Sequence, residues 1–260
     1  GLTEVEYDFL YDNSRCLLAI GYRVEEHVRD SGLYDLLASE ARLCSFVAIA
    51  QNHLPQKHWF SLGRQLTSLG GNVALLSWGG SMFEYLMPFL VMPSYPNTLI
   101  EQTCHTVVKW HLRYGRERGT PWGVSESSYH ATDVHLNYQY RTFGVPGLGL
   151  RRGLSEDLVV APYASALALM VAPAEACSNL ARMAAEGFEG DYGLYEAIDY
   201  TPVRVPRGQK HAIVRSFMAH HQAMSFLALA HHLLDQPMQR RFLASKLFQS
   251  AEALLQERVP

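Results

Sequence analysis

The 260-residue chain has no surplus of basic charge. Its 22 Lys and Arg stand against 25 Asp and Glu, a formal net charge of -3. That balance argues against a nucleic-acid partner, which calls for a basic stripe. No apolar run reaches the roughly 20 residues that cross a bilayer. The opening segment GLTEVEYDFL has neither the basic nor the apolar region of a signal peptide. Cysteine is scarce: Cys16, Cys44, Cys104 and Cys177 are scattered in apolar surroundings with no CxxC pair. A structural zinc site is therefore not expected, and buried free thiols in a reducing compartment are. Low-complexity segments, linkers and clear short-period repeats are absent too.

Apolar residues make up 48% of the chain and charged ones 18%, which supplies a core for one large domain or two small ones. YDFLYDNSRCLLAIGYRV reads as two strands around the turn cluster Asp12-Asn13-Ser14. In LYDLLASEARLCSFVAIAQ, Leu33, Leu36, Leu37, Leu43, Phe46, Val47 and Ala50 recur at three- and four-residue steps, which predicts a helix approached through Asp30 or Ser31. HWFSLGRQL predicts a short helix after Pro55. SMFEYLMPFLVM predicts one with Ser81 as N-cap, and a long helix opens on Pro96-Asn97. Residues 120–158 read mostly as loop rich in Gly, Pro, Tyr and Asn, and a stretch that long inside a compact chain is usually functional. Helical patterns resume at PYASALALMVA, PAEACSNLARMAAEG and SFMAHHQAMSFLALAHHLLDQ, and the C-terminal segment from Pro237 is amphipathic. The chain is thus mainly α, with roughly eight or nine helices and minor β-structure.

Three carboxylates keep company with aromatic and hydroxyl residues. Glu40 lies in ASEAR, midway along an apolar helix pattern, either on a solvated stripe or, framed by small residues, open to a ligand. Arg42 is close in sequence, but a two-residue step places it on another face. Glu84 follows Ser81 by three residues, the spacing of a capping box, and it also follows Trp78-Gly79-Gly80, where open backbone precedes a helix N-terminus. Glu126, in PWGVSESSY, fits no helical pattern and is bracketed by Trp122 and Tyr129. Aromatic planes pack on the C–H faces of sugars, and carboxylates accept from sugar hydroxyls. Glycoside chemistry runs on two carboxyl groups. The Glu126 loop therefore reads as a sugar subsite with an acid inside.

Other groups were weighed. His220, His221, His231 and His232 fall on one helix without the three- or four-residue ligand spacing of a metal site, so no metal is expected; His221 and Gln222 read as hydrogen-bonding groups at a cleft floor. Glu196, among Tyr192, Tyr195 and Tyr200, is either a sugar-contacting loop acid or a helix-start acid. Asp157 is equally a loop acid of that kind or a cap for the helix that follows, and the Arg151-Arg152 doublet reads as solvated or paired with these acids. GVPGLGL lacks the spacing of a nucleotide-binding loop, and Ser125 and Ser127 lack a GxSxG frame.

YDLLASEARLCSFVAIAQ, HWFSLGR, SWGGSMFEYLMP, PWGVSESSY, FGVPGLGLRRGL, DLVVAPYASALAL, YGLYEAIDYT and FMAHHQAM, in that order over most of the chain, resemble the glucoamylase-like central domain of cyclic β-1,2-glucan synthases. The resemblance implies an (α/α)6 toroid-like barrel with a small N-terminal β-hairpin and long active-site loops, as one domain over residues 1–260. Twelve helices are expected in that fold. Fewer are counted here, so the chain either lacks the first helices or is a fragment of a longer polypeptide. The implied activity is cleavage of an internal bond of linear β-1,2-glucan and its rejoining, a retaining transglycosylation. Alternatives are an endo-β-1,2-glucan hydrolase, inverting or retaining, and a non-catalytic glucan-binding module. Glu126 is implied as nucleophile and Glu40 as general acid/base. Glu84, Trp78, Arg42, Trp122, Tyr129, Tyr138, Glu196, His221 and Gln222 are expected to bind substrate. No cofactor is expected. The expected partners are the glucan and the rest of a membrane-associated synthase, with this soluble segment at the cytoplasmic face of the inner membrane.

Overall fold

A computed structural model describes residues 5–258; the first residues of GLTEVEYDFL and the last of the C-terminal amphipathic segment lie outside it. The chain opens with β1 (Tyr11–Asp12) and β2 (Leu17–Ala19), an antiparallel pair with Tyr11 opposite Leu18. The Asp12 carboxylate accepts from the Ser14 amide at 2.9 Å and shapes the expected turn. A small hairpin follows, β3 (Tyr22–Arg23) and β4 (Val28–Arg29), and then β5 (Leu33–Tyr34), which pairs back onto β2.

Here the helical expectation for residues 33–51 is corrected. Only α1 (Arg42–Ala50) is helical, because Leu33 and Tyr34 are taken by strand pairing and Leu36 bridges to Gly63. Glu40 therefore sits on the loop just ahead of α1. The Ser39 hydroxyl, rather than Asp30 or Ser31, accepts an amide there, from Ala41 at 3.1 Å. Next come α2 (Lys57–Ser61) and the hairpin β6 (Leu66–Leu69) and β7 (Asn72–Leu75). His58 on α2 is buried and bridges the Cys16 carbonyl and the Ser45 hydroxyl, each at 2.8 Å, tying the first sheet to α1.

α3 (Met82–Leu86) starts at Ser81, and both halves of the capping box with Glu84 are formed. A 3₁₀ turn carries it on to Leu90. α4 (Leu99–Arg118) is the longest helix. Thr98 caps it, Glu101 lies in its first turn and Arg116 and Arg118 in its last, and Gly119 ends it in the left-handed region at φ 70°. The region expected as loop contains a hairpin, β8 (Ser127–Thr132) and β9 (Tyr138–Arg141), with Ser128 opposite Tyr140 and a bulge between Tyr129 and Thr132. β10 (Val159–Val160), α5 (Pro162–Leu167), α6 (Pro173–Ala185) and the hairpin β11 (Glu189–Gly190) and β12 (Gly193–Leu194) follow. β13 (Ala197–Asp199) pairs with both β10 and β14 (Ala212–Val214), and the chain closes with α7 (Ala219–Leu233), α8 (Pro237–Leu243) and α9 (Lys246–Ala251).

The described residues are thus helix-rich, with six small sheets and no closed barrel among them. One contiguous apolar core runs from the first sheet through α1, α3, α4 and α5 to α7. The thiol expectation is corrected in part: Cys16 and Cys104 are buried, whereas Cys44 and Cys177 are exposed. No helix among the described residues is long and apolar enough to cross a membrane.

The glycines of SWGG and FGVPGLGL hold two segments in backbone contact. Main-chain bonds run from Ser77 to Leu148, Val145 to Gly80, Leu150 to Ser77 and Arg151 to Trp78 at 2.9–3.1 Å. A Cβ on Gly144 would lie 1.7 Å from the Gly79 carbonyl oxygen, so only glycine permits this approach. The segment carrying Trp78 and the entry to α3 is thereby pinned beside β9.

Candidate active site

Glu40, Glu84 and Glu126 line one cleft of about 390 Å³, together with Tyr34, Trp78 and Thr142. Each arrives on a different element. Glu40 comes from the loop before α1, and among the described residues its carboxylate accepts only from the Ser39 hydroxyl, at 3.1 Å. Trp78, 63% exposed, stands free at the cleft as an open aromatic plane.

Glu84 is held most tightly. Its carboxylate accepts from the Gly79 and Ser81 amides at 2.8 Å each and from the Ser81 and Ser77 hydroxyls at 2.7 and 3.1 Å. Burial pushes its carboxyl up, against the pull of the two amides, and the Glu40 charge adds to the rise. The same Glu84 carboxylate closes the capping box and borders the cleft, so the two roles its spacing suggests coincide.

Glu126 sits at the entry to β8. Its main-chain carbonyl accepts from the Tyr163 hydroxyl at 2.9 Å, and neighbouring Ser125 accepts the Phe83 amide at 3.0 Å, so α5 and the start of α3 fix its position. The Tyr140 hydroxyl donates to its Oε1 at 2.8 Å and Thr142 to its Oε2 at 3.4 Å. Burial raises its carboxyl first, and the Glu40 charge raises it further, while the Tyr140 bond and the His221 side chain pull the other way. Two acids that influence each other across one cleft, one multiply hydrogen-bonded and one held by a single hydroxyl, can divide between a fixed carboxylate and a proton carrier.

Several expected sugar contacts lie elsewhere. Arg42 is buried, and its guanidinium donates to the carbonyls of Ser39, Glu84 and Tyr85 at 3.2, 3.1 and 2.6 Å. It is a strut between the Glu40 loop and α3. Trp122 is buried and off the cleft lining, its backbone clasped by Asn179 at 3.2 and 2.8 Å. Tyr129 packs edge-on against Phe143, with the Arg141 and Arg204 guanidinium groups each 5.0 Å from its ring. Tyr138 lies near His130 rather than on the cleft lining. Gln222 is exposed on α7, off the cleft lining. Glu196 and His221 are both buried and bonded to each other at 2.8 Å. Asp157 pairs with Arg141 and Arg204 instead of capping a helix. Sequence reasoning missed Tyr34, Tyr140, Thr142 and Tyr163. Alternation in NYQYRTF was the available signal for Tyr140, but only the pairing of Ser128 with Tyr140 selects it over Tyr138. Among the described residues, no group of three His, Cys, Asp or Glu is placed to hold a metal ion.

The chain belongs to the family described as Putative glucoamylase, whose model matches residues 33–246. More narrowly, it is 49% identical, over 98% of its length, to part of the cyclic beta-(1,2)-glucan synthase NdvB of Rhizobium meliloti (strain 1021), and it spans 9% of that protein. The likeness read from the eight motifs therefore holds. Two solved structures share the fold. An endo-beta-1,2-glucanase from Chitinophaga pinensis, in complex with sophorotriose and glucose, superposes with a TM-score of 0.66 at 15% identity over 97% of this chain and 62% of that one. A beta-1,2-glucanase from Parabacteroides distasonis gives 0.64 at 16% identity over 98% and 39%.

Proposed function

We propose that this chain is a carbohydrate-active enzyme that opens an internal bond of linear β-1,2-glucan and rejoins it as a retaining transglycosylase. The observation that carries the reading is the convergence of Glu40 and Glu126, 86 residues apart by number, on one cleft beside the open Trp78 ring. Likeness to the glucan synthase supports the substrate class. We further propose that residues 1–260 are a single module of a longer, membrane-associated polypeptide and complete part of an (α/α)6 toroid; the 9% share of the synthase supports this.

Glu126 attacks the anomeric carbon while Glu40 donates its proton to the departing glycosidic oxygen. The reducing-end piece leaves and a glycosyl–Glu126 ester remains. Glu40, now ionised, takes the proton of the C2 hydroxyl at the glucan's own far end, that oxygen displaces Glu126, and a ring closes. Burial raises the Glu126 carboxyl; its fixed donors oppose that rise and favour the ionised form, and a protonated Glu40 removes the charge that adds to it. The loosely held Glu40 suits proton transfer in both directions. Glu84 is immobilised by four donors, three on Oε2 and one on Oε1, so only Oε1 keeps a lone pair that a sugar hydroxyl could use.

A second reading, an endo-hydrolase, draws on the likeness to the glucanase in complex with sophorotriose and glucose. Retention goes with carboxyl groups about 5–5.5 Å apart and inversion with about 6.5–9.5 Å. Incubation with linear β-1,2-glucan separates the readings: rings indicate transglycosylation, accumulating reducing ends indicate hydrolysis, and no product from folded protein indicates a binding module. Glu126→Gln and Glu40→Gln are each expected to lower turnover roughly a thousandfold or more with the fold retained. Near-normal activity in either removes that residue from its role.

A further inference from the structure

Glu196 and His221 do not line the cleft, yet one side chain connects them to it. Their side chains are 0% and 1% exposed, and His221 Nδ1 lies 2.8 Å from Glu196 Oε1. On the far side of the ring, His221 Nε2 lies 3.4 Å from the Tyr140 hydroxyl, which donates to Glu126 Oε1 at 2.8 Å. The imidazole is flat on Tyr163, with centroids 3.7 Å apart and planes 9° from parallel. Stacking fixes the ring's plane, and Glu196 fixes its rotation within that plane. At 3.4 Å this step is at the long end for a hydrogen bond.

The hydrogens can run in one direction along this chain. An ionised Glu126 only accepts, so the Tyr140 proton is committed to it. The Tyr140 oxygen can then only accept from His221, which requires hydrogen on Nε2. Glu196 and Nδ1 share one further proton between them. Burial and the Glu126 charge push the Tyr140 hydroxyl up, which keeps it a donor.

The pair is a poor device for stability alone. Among the described residues Glu196 Oε2 has no partner, and the Ser128 amide reaches Oε1 only at 3.3 Å. A buried acid–imidazole pair with an unsatisfied oxygen returns little for the desolvation of its polar groups. Buried acid–imidazole pairs beside a cleft are found where a reacting group must be held.

We infer that Glu196 and His221 are positioning residues that act through Tyr140 to keep the Glu126 carboxylate ionised and aimed into the cleft. This rests on the reading of Glu126 as the attacking carboxylate. The other titratable groups facing Glu126 are Glu40 from the loop before α1, Tyr34 on β5 and Tyr163 on α5. Glu84 on α3 shares the cleft, with its oxygens turned into their own cradle.

The test is the pH dependence of kcat/KM on linear β-1,2-glucan for Tyr140→Phe, His221→Phe and the double variant. His221→Phe keeps a ring on Tyr163. Loss of the Tyr140 donor is expected to move the acid limb up by about one pH unit and to lower kcat roughly tenfold or more, with KM near wild type. His221→Phe moves the limb in the same direction by less. The double variant is no worse than Tyr140→Phe, because the two act in series. Losses that multiply in the double variant, or an unmoved acid limb, overturn the inference. Where His221→Phe does not fold, Glu196→Gln takes its place: the amide lets the ring present a bare Nε2 that competes for the Tyr140 proton, and the limb again moves up. If the wild-type chain leaves the glucan untouched, the proposed function falls and the inference is decided separately. The Glu126 carboxyl, assigned with Glu126→Gln, is then titrated by carbon NMR. A higher midpoint in Tyr140→Phe and His221→Phe supports the inference, and an unchanged one overturns it.

Discussion

Arg42 shows how much a single buried cation can organise without touching a ligand. Its three carbonyl partners belong to the Glu40 loop and to α3, and its guanidinium lies 5.5 Å from the Phe89 ring. Two of the cleft's acids are thereby referenced to one planar fork. Lysine has a charge but no fork, so it cannot satisfy the same carbonyls. Arg42→Lys is expected to cost about 2–4 kcal/mol of unfolding free energy in a urea titration, through carbonyls left unpaired. Arg42→Met, with no charge at all, is expected to cost at least as much. A loss below 0.5 kcal/mol, about the scatter of a surface substitution, would mean the strut is dispensable.

At the scale of elements, the site depends on backbone packed against backbone. The SWGG segment lies on residues 144–149 so closely that no side chain fits between them, and Gly80, at φ +67°, has its own Cβ position 2.8 Å from the Gly149 amide. This contact sets where Trp78 stands, presents the Gly79 amide to Glu84, and brings Thr142 to the cleft. Gly144→Ala must push the segments apart. We expect a loss of about 1–3 kcal/mol in stability, together with a disproportionate fall in turnover, since the displaced segment carries the cleft wall. A crystal structure of the variant with the cleft unchanged would refute this. The motif letters were legible as glycine-rich. Close approach of two distant segments was not legible, because neither segment alone carries a sign of what will lie against it.

Across the whole molecule, buried histidines couple stability to pH. His111 sits fully buried on α4, its ring facing the Gly80 backbone, and neither nitrogen makes a well-formed hydrogen bond among the described residues. Burial holds it down at about 3, against an ordinary 6.5. Burial also lowers His58, whose two nitrogens are committed to Cys16 and Ser45. The unfolded chain takes up these protons as pH falls below 6.5, and the folded chain does not until far lower. The His111 contribution is therefore complete above 6.5 and lost as pH falls from there toward 3, at up to about 1.4 kcal/mol per pH unit. The His58 contribution declines in the same direction as pH falls below 6.5. His111→Leu is expected to flatten the decline in urea-derived stability between pH 6.5 and 5, where carboxylates titrate little. An identical slope in the variant would show that His111 is not the source.

Local signals were enough for α4, whose period, cap and terminal glycine are all written within it, and for the Asp12 turn and the Ser81–Glu84 capping box. They were also enough to pick out Glu40, Glu84 and Glu126 and to assign the family. They failed where a local pattern competed with pairing elsewhere. The three-and-four spacing of Leu33, Leu36 and Leu37 reads as helix, yet β2 claims Leu33 and Tyr34 as a strand. Tertiary structure alone decided that Tyr140 rather than Trp122 or Tyr129 attends Glu126, and that Glu196 and His221 stand behind it. Residues 126, 140, 196 and 221 meet through strand register, ring stacking and burial. Those are relations between segments, and no window along the chain contains them.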